Sequence, residues 1–324
     1  MLRRARRRVA ILPRNDHHDG SLTSFELFGQ ERASLILAGA LSRPSHAYLF
    51  HGPRGTGRRE AAFRFSASLL REDPESRRRT REGKNPDVRY WAPDGRSTKI
   101  EQVRALIHAA ELGSVKSWKV HILDAGTLTP EGANCLLKTL EEPVPQTILI
   151  LLAESLDRLL PTLVSRCQSV PFRLLPASLI FEALVGGGVE QKTARWASEL
   201  ADGRLKKAFE LAAGPVPLPS PLLQAKTVLA AMQEGERLAS LPEEEQIASL
   251  ESMIAQVRDI IVWIETRNPA SVAFPGIPAV FEGVEKTTRD WLRLADRLIE
   301  TRKGMFSHAG PKLLWAALAT EIIR

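Results

Sequence analysis

The strongest constraint on the fold of this chain is a short apolar run that leads straight into a glycine-rich basic turn and then a helical pattern. Ala47–His51 reads as a buried strand, and it continues as Gly52, Pro53, Arg54, Gly55, Thr56, Gly57, Arg58 and Arg59. Strand, glycine turn and helix start form the context of a phosphate-binding loop. Glycines let backbone N–H groups curl around an anion, and a helix N-terminus favours negative charge. Further apolar runs at 119–123, 147–152 and 169–172, with a fifth at 88–92, alternate with helical patterns at 58–70, 99–112, 130–141 and 157–165. A helix over 31–41 precedes them all. That alternation predicts a parallel sheet covered by helices.

The loop lacks what a hydrolytic site needs. A working loop carries Lys and then Ser or Thr after its last glycine, for the phosphates and for Mg²⁺. Here Arg58 and Arg59 stand there. Arginine keeps the charge, but its planar fork is not a compact ammonium, and Arg59 has no acceptor atom with which to ligate a metal. The run 119–124 ends in Asp124, as a metal-organising strand does, or as a strand-end acid that caps the next turn. The following position, where a carboxylate would prepare water, is Ala125. After 147–152, only Ser155 offers a polar sensor of a γ-phosphate. The glycines Gly52, Gly55 and Gly57 with Arg58, Arg59 and Asp124 thus outline a degenerate nucleotide site, with binding of ATP in doubt and no cofactor required.

Composition narrows the class. With 324 residues, 44% hydrophobic and 26% charged, the chain has room for two or three cored domains. No run approaches a membrane span, and the Arg-rich start is followed by no long apolar segment, so a cytoplasmic chain is expected. The two cysteines, Cys135 and Cys167, have no Cys or His neighbours at metal-ligand spacing, so no metal site is expected. The net charge of +7 gathers at Arg3–Arg8 and Arg77–Arg81. Both clusters read as solvated surface, with phosphate-backbone contact as the functional alternative. Residues 71–86 read as a charged surface insertion. The stretch 214–221 is a proline-rich linker, and 222–324 is amphipathic helix broken at 268–278 and 310–311.

Three further stretches resemble the AAA+ clamp-loader family of bacterial DNA polymerase III. They are Asn134 to Pro143 (NCLLKTLEEP), Leu159 to Cys167 (LLPTLVSRC) and His46 to Pro53 (HAYLFHGP), in matching order and spacing. The resemblance covers roughly residues 28–210. It implies an α/β P-loop domain with a parallel sheet at 25–174, a small helical lid at 175–215 and an all-α collar domain at 216–324. A basic extension at 1–24, expected to be disordered, precedes them. Motor subunits of the family keep the loop's Lys and Thr and usually carry a cysteine-rich insertion. This chain has neither; the cysteine-free insertion does not settle the matter, and it is the loss of Lys and Thr that implies a non-hydrolysing member, not catalytic by itself.

By the same resemblance, Arg166 of the Ser165-Arg166-Cys167 element reaches in trans to the γ-phosphate of ATP on a neighbouring ATPase subunit. Lys206 falls where the family's sensor-2 arginine stands, or simply begins a helix. Leu136, Leu137 and Leu140 read as core, and Lys138, Glu141 and Glu142 as solvated. The implied partners are the ATPase motor subunits and the delta subunit of a hetero-oligomer, with the sliding clamp and primed DNA reached through the complex. Two alternatives stay open: an active ATPase using Arg58 and Asp124, and a DNA-binding accessory protein using the basic clusters.

Overall fold

Alternation of side chains along the strands decides the architecture. The chain runs through α1 (Glu31–Ser42), β1 (Ala47–His51), α2 (Arg58–Leu69), α3 (Pro74–Arg81), β2 (Val88–Trp91), α4 (Ile100–Glu111), β3 (Lys119–Asp124), α5 (Pro130–Glu141), β4 (Thr147–Ala153), α6 (Pro161–Val164) and β5 (Gln168–Pro171). The computed structural model describes residues 25–95, 97–111, 118–214, 219–274, 276–282, 286–305 and 310–323. The expected extension at 1–24 lies outside them, as does 215–218 of the expected linker.

The five strands form one sheet in the order β2-β3-β4-β1-β5, and every neighbouring pair is parallel. Tyr48, Phe50, Ile122, Ile148 and Ile150 point to one face and pack with Leu37 of α1 and Phe65 of α2. Leu49, Leu123, Leu149 and Leu151 point to the other and pack with Val103 and Leu106 of α4 and Leu136 and Leu140 of α5. A strand with both faces covered reads as a continuous apolar run, and β4 is buried along its whole length. Ahead of α1, Gln30 donates to the Arg173 carbonyl at 2.7 Å and accepts from its N–H at 3.0 Å, which ties the two ends of this α/β unit together.

Two expectations need correction. The stretch 157–165 is not one helix. A 3₁₀ turn at Leu156–Arg158 ends before Pro161, and α6 is a separate short turn. Pro161 biases Leu160 to extended backbone (ψ 129°), which breaks the helical pattern. The insertion at 71–86 is not merely surface. Asp73 accepts from the Glu75 and Ser76 N–H groups and Pro74 opens α3, a strong helix start. Beneath that helix, the Glu72 carboxylate is buried and accepts from Thr80 Oγ1 and Asn85 Nδ2. A charged residue is tolerated inside only when its lone pairs are used in this way.

Past β5 the described residues carry helices only: α7 (Ala177–Gly186), α8 (Gln191–Leu200), α9 (Leu205–Ala213), α10 (Val228–Ala239), α11 (Glu243–Thr266), α12 (Ile277–Val280), α13 (Thr288–Met305) and α14 (Pro311–Ile323). The chain divides into two compact units. One holds the sheet to Leu179 together with Gly203–Lys206, and the other holds Ile180–Asp202 and the chain from Lys207 onward. In the helical unit Trp263, Trp291 and Trp315 are all buried. Trp315 donates to Gln246 Oε1 at 2.8 Å, and the Gln246 amide donates to the Leu241 carbonyl at 2.7 Å. Buried Asp259 accepts from the Ala273 and Phe274 N–H groups at 2.6 and 2.7 Å, which holds the break after α11 in place.

Candidate functional site

The glycine turn after β1 folds as a phosphate loop does. Gly52 has φ +147°, and a Cβ there would lie 2.1 Å from the Phe172 carbonyl oxygen, so only glycine fits. Gly55 has φ +85°, and a Cβ would meet Arg204 Cδ at 2.8 Å. Gly57, also left-handed, is the residue before α2 and supplies no side-chain cap to it. The loop stands at the C-terminal edge of a parallel sheet, where open α/β sheets take ligands.

The side chains around it are arranged otherwise than a Mg²⁺-nucleotide requires. Arg58 does not point out toward a phosphate. Its Nη1 donates to the Ala153 carbonyl at the end of β4, and its guanidinium lies in the field of Glu154 and Asp124. Burial pushes its pKa down, and those two carboxylates oppose the shift. Asp124 is pushed up, first by burial, against the Gly126 N–H and Arg58 that hold it down. Arg59 turns to the flank of the sheet, with its guanidinium 4.1 Å from the Tyr90 ring centre and 5.7 Å from that of Phe63. Ser155 caps its own 3₁₀ turn, donating to Asp157 Oδ2 at 3.1 Å and accepting from the Asp157 N–H at 3.3 Å. A metal-nucleotide does not fit these residues, because the cation place is filled by Arg58 and no hydroxyl follows it. Among the described residues no group of three or more His, Cys, Asp and Glu side chains could hold a metal ion.

Lys206 is exposed at the start of α9. The residue that reaches the loop is Arg204, whose Nε donates to the Arg54 carbonyl at 3.0 Å. The family resemblance pointed instead to Lys206, two residues further on, where the sensor-2 arginine stands. The missed signal was Gly203, whose φ of +74° turns the chain just ahead of Arg204.

Arg166 is placed quite differently. Its Nη2 donates to Glu141 Oε1 at 2.6 Å and its Nη1 to the Thr162 carbonyl at 2.8 Å. About a third of the side chain stays exposed (35%), and Glu141 is more open still (52%). Glu141 is therefore solvated, as expected, but also paired. Next to it, Leu136 and Leu140 are buried and Leu137 is partly buried, while Lys138 and Glu142 are exposed. Beside Arg166 lies an open groove of about 440 Å³ lined by Leu156, Leu159, Pro161, Val164, Asp157 and Ser165. Cys135 and Cys167 are partly buried against the core, and burial pushes the Cys167 thiol up to about 12, which makes it inert.

Topology separates the two arginines. Gln168, two residues after Arg166, pairs with Tyr48 near the start of β1, whereas the glycine loop follows His51 at its end. Arg166 is thus at the opposite edge of the sheet from its own loop. The basic stretch in α3 is largely matched locally: Arg78 pairs with Glu75 and Glu82, Arg81 with Glu60, and Arg77 donates to the Glu72 carbonyl. Among the described residues no helix is long and apolar enough to cross a membrane.

Comparison with known proteins bears on the sheet-bearing part. Residues 30–176 match the family model described as DNA polymerase III, delta subunit. DNA polymerase III subunit delta' (delta-prime) of Bacillus subtilis strain 168 is 37% identical over 179 residues, 52% of this chain and 54% of that protein. The delta-prime subunit of Pseudomonas aeruginosa PAO1 is 33% identical over 171 residues, 48% of this chain and 52% of that protein. The chain therefore spans about half the length of these curated relatives. The crystal structure of a DNA polymerase III gamma subunit-related protein from Thermotoga maritima MSB8 shares the fold, with a TM-score of 0.50 at 17% identity over 90% of this chain and 98% of that one. In fold the chain is an α/β domain with a five-stranded parallel sheet and a glycine loop, followed by helices, and in sequence its sheet-bearing part resembles the delta-prime subunits of bacterial DNA polymerase III.

Proposed function

We propose that this chain is a non-hydrolysing subunit of a bacterial DNA polymerase III clamp loader, and that it lends Arg166 to the ATP site of a neighbouring subunit. The observation that carries the reading is the placement of Arg166 at the sheet edge away from its own loop, half-open and held by an exposed carboxylate. An arginine so placed is of no use to its own loop but is available to a neighbour. Delivered to a γ-phosphate, its fork would spread positive charge over the equatorial oxygens as they develop charge in the transition state. The carboxylate of Glu141 is exchangeable for a phosphate because an exposed pair is weakly held. The filled loop, with Arg58 turned inward and Arg59 on Tyr90, supports the non-hydrolysing half of the reading.

Partners follow from the same reading: ATPase motor subunits and delta in one hetero-oligomer, with the sliding clamp and primed DNA met through the assembly. The helices beyond residue 216 would serve as its collar, and Leu229 of α10 and Leu313 of α14 present exposed apolar side chains for that purpose (69% and 74%). The test is direct. Purified chain is expected to show no ATP turnover, while Arg166→Ala in a reconstituted complex lowers DNA-stimulated ATPase. Full complex activity with Arg166→Ala, or turnover by the isolated chain, would refute it.

A further inference from the structure

We infer that Arg58 is a built-in counter-ion, fixed across the tips of β3 and β4 where a divalent cation would otherwise be drawn.

The geometry comes first. Asp124 ends β3 and pairs in register with Leu152, one residue before Ala153. Arg58 begins α2, yet its Nη1 donates to the Ala153 carbonyl, 95 residues away in sequence. A Cβ placed on Gly126 would lie 3.6 Å from Asp124 Oδ1 and 3.9 Å from the Glu154 N–H nitrogen. The Ala153 carbonyl, which also accepts from the Gly52 N–H at 3.2 Å, is bonded by the Arg58 guanidinium, and the Asp124 and Glu154 carboxylates lie in the field of that same guanidinium. Such a set of oxygens attracts a hard cation. Arg58 already answers that attraction with a delocalised charge and several donors, and a guanidinium loses less on leaving water than an ammonium or a metal ion does.

Charge balance then sets the consequence. With Arg58 present, a metal ion approaching Asp124 meets a fixed positive charge, with Arg54 adding a second nearby. Without it, half-buried Asp124 keeps only the Gly126 N–H and the field of Arg54 against its charge, with the exposed Glu154 carboxylate nearby. The strand tips therefore owe their charge balance to Arg58 first, and the missing hydroxyl at position 59 is a second, separate loss. Arg204, bonded to the Arg54 carbonyl, holds the loop from the other side. None of this depends on what Arg166 does.

The experiment uses the full chain with Mn²⁺ alone as the probe, followed by loss of the free-ion electron paramagnetic signal. Wild type is expected to bind no Mn²⁺ at this edge. Arg58→Gln is expected to tighten Mn²⁺ binding by about tenfold or more, since removal of one opposing charge at short range is worth at least that. Arg58→Gln combined with Asp124→Asn is expected to lose the gain, and Arg58→Lys, which keeps a charge, to show little of it. Equal binding by wild type and Arg58→Gln, or a gain that survives Asp124→Asn, overturns the inference. Should Arg58→Gln fail to fold, the reciprocal change decides: Asp124→Asn with Arg58 intact is expected to lower the melting temperature by stranding a half-buried cation, and an unchanged or raised value overturns it. Because the readout is the isolated chain, its failure is separable from any failure of the Arg166 reading in the assembled complex.

Discussion

Arg58 and Arg166 lie at opposite edges of one sheet, and their surroundings assign them opposite fates. Arg58 is drawn out of water onto a main-chain carbonyl and two strand-end acids of its own chain. Arg166 is held by a carboxylate that is itself half exposed, and keeps a third of its surface open. The charge of the first is answered within its own strand ends; the exposure of the second leaves room for the exchange that the proposed function requires. The difference comes from where each lies along the strands. The end of β1 places its arginine within reach of the Ala153 carbonyl and in the field of two strand-end acids, whereas the start of β5 places its arginine at the rim. On the proposed reading, a phosphate loop persists as architecture while a surface arginine serves a neighbour's site.

The comparison can be broken most decisively at Arg166. In a reconstituted complex, Arg166→Ala is expected to cut turnover at the neighbour's site by a factor on the order of 10³, as loss of an arginine finger does, with little change in the melting temperature of the chain. A complex that keeps its activity would leave both arginines as local structure. Next in size is Gly52→Ala. If the loop is retained as architecture, the new Cβ must displace the Phe172 carbonyl, and a loss of about 2–4 kcal/mol in urea unfolding is expected, with no change in nucleotide affinity.

His121, inside the same sheet, tests whether the interior is as inert as the comparison assumes. It accepts from Trp91 Nε1 at 3.1 Å, and its pKa is pushed down to about 4, chiefly by burial. Its folded pKa is below its unfolded value of about 6.5, so the unfolded chain takes up the proton first as pH falls. Stability is therefore full above pH 6.5 and lost between about pH 6.5 and 4, by on the order of 2–3 kcal/mol. Urea midpoints measured across that window should show the loss, and His121→Asn should remove it. The smallest effect is expected at Glu141. Because the pair is half exposed, Glu141→Gln should change stability by no more than about 0.5 kcal/mol. A large loss of stability on Glu141→Gln would mean that Arg166 is locked and not exchangeable.

Much of the fold was legible because it rests on local periodicity. The apolar run at 147–152 reads as a buried strand, and β4 is that strand, covered along its whole length. The repeat of leucines at 136, 137 and 140 predicted which side of α5 faces the sheet. Where a local rule was passed over, the reading slipped: Asp73-Pro74 is a helix start hidden inside a charged stretch, and Pro161 divides a pattern that looked continuous.

By itself the sequence determined the parallel α/β alternation, the glycine-rich turn after the first strand, and the absence of Lys and a hydroxyl after Gly57. Those follow from the period of side chains and the chemistry of single residues. Only the tertiary structure decided where the long cations end up. Arg58 and Arg59 are adjacent in sequence, yet one crosses to β4 and the other lies on Tyr90. Arg204 reaches the loop from 150 residues away, and Arg166 finds Glu141 across 25. A guanidinium on a flexible stem goes to whichever carbonyl, carboxylate or ring the fold brings within reach, and that is set by strand order, which no local pattern encodes.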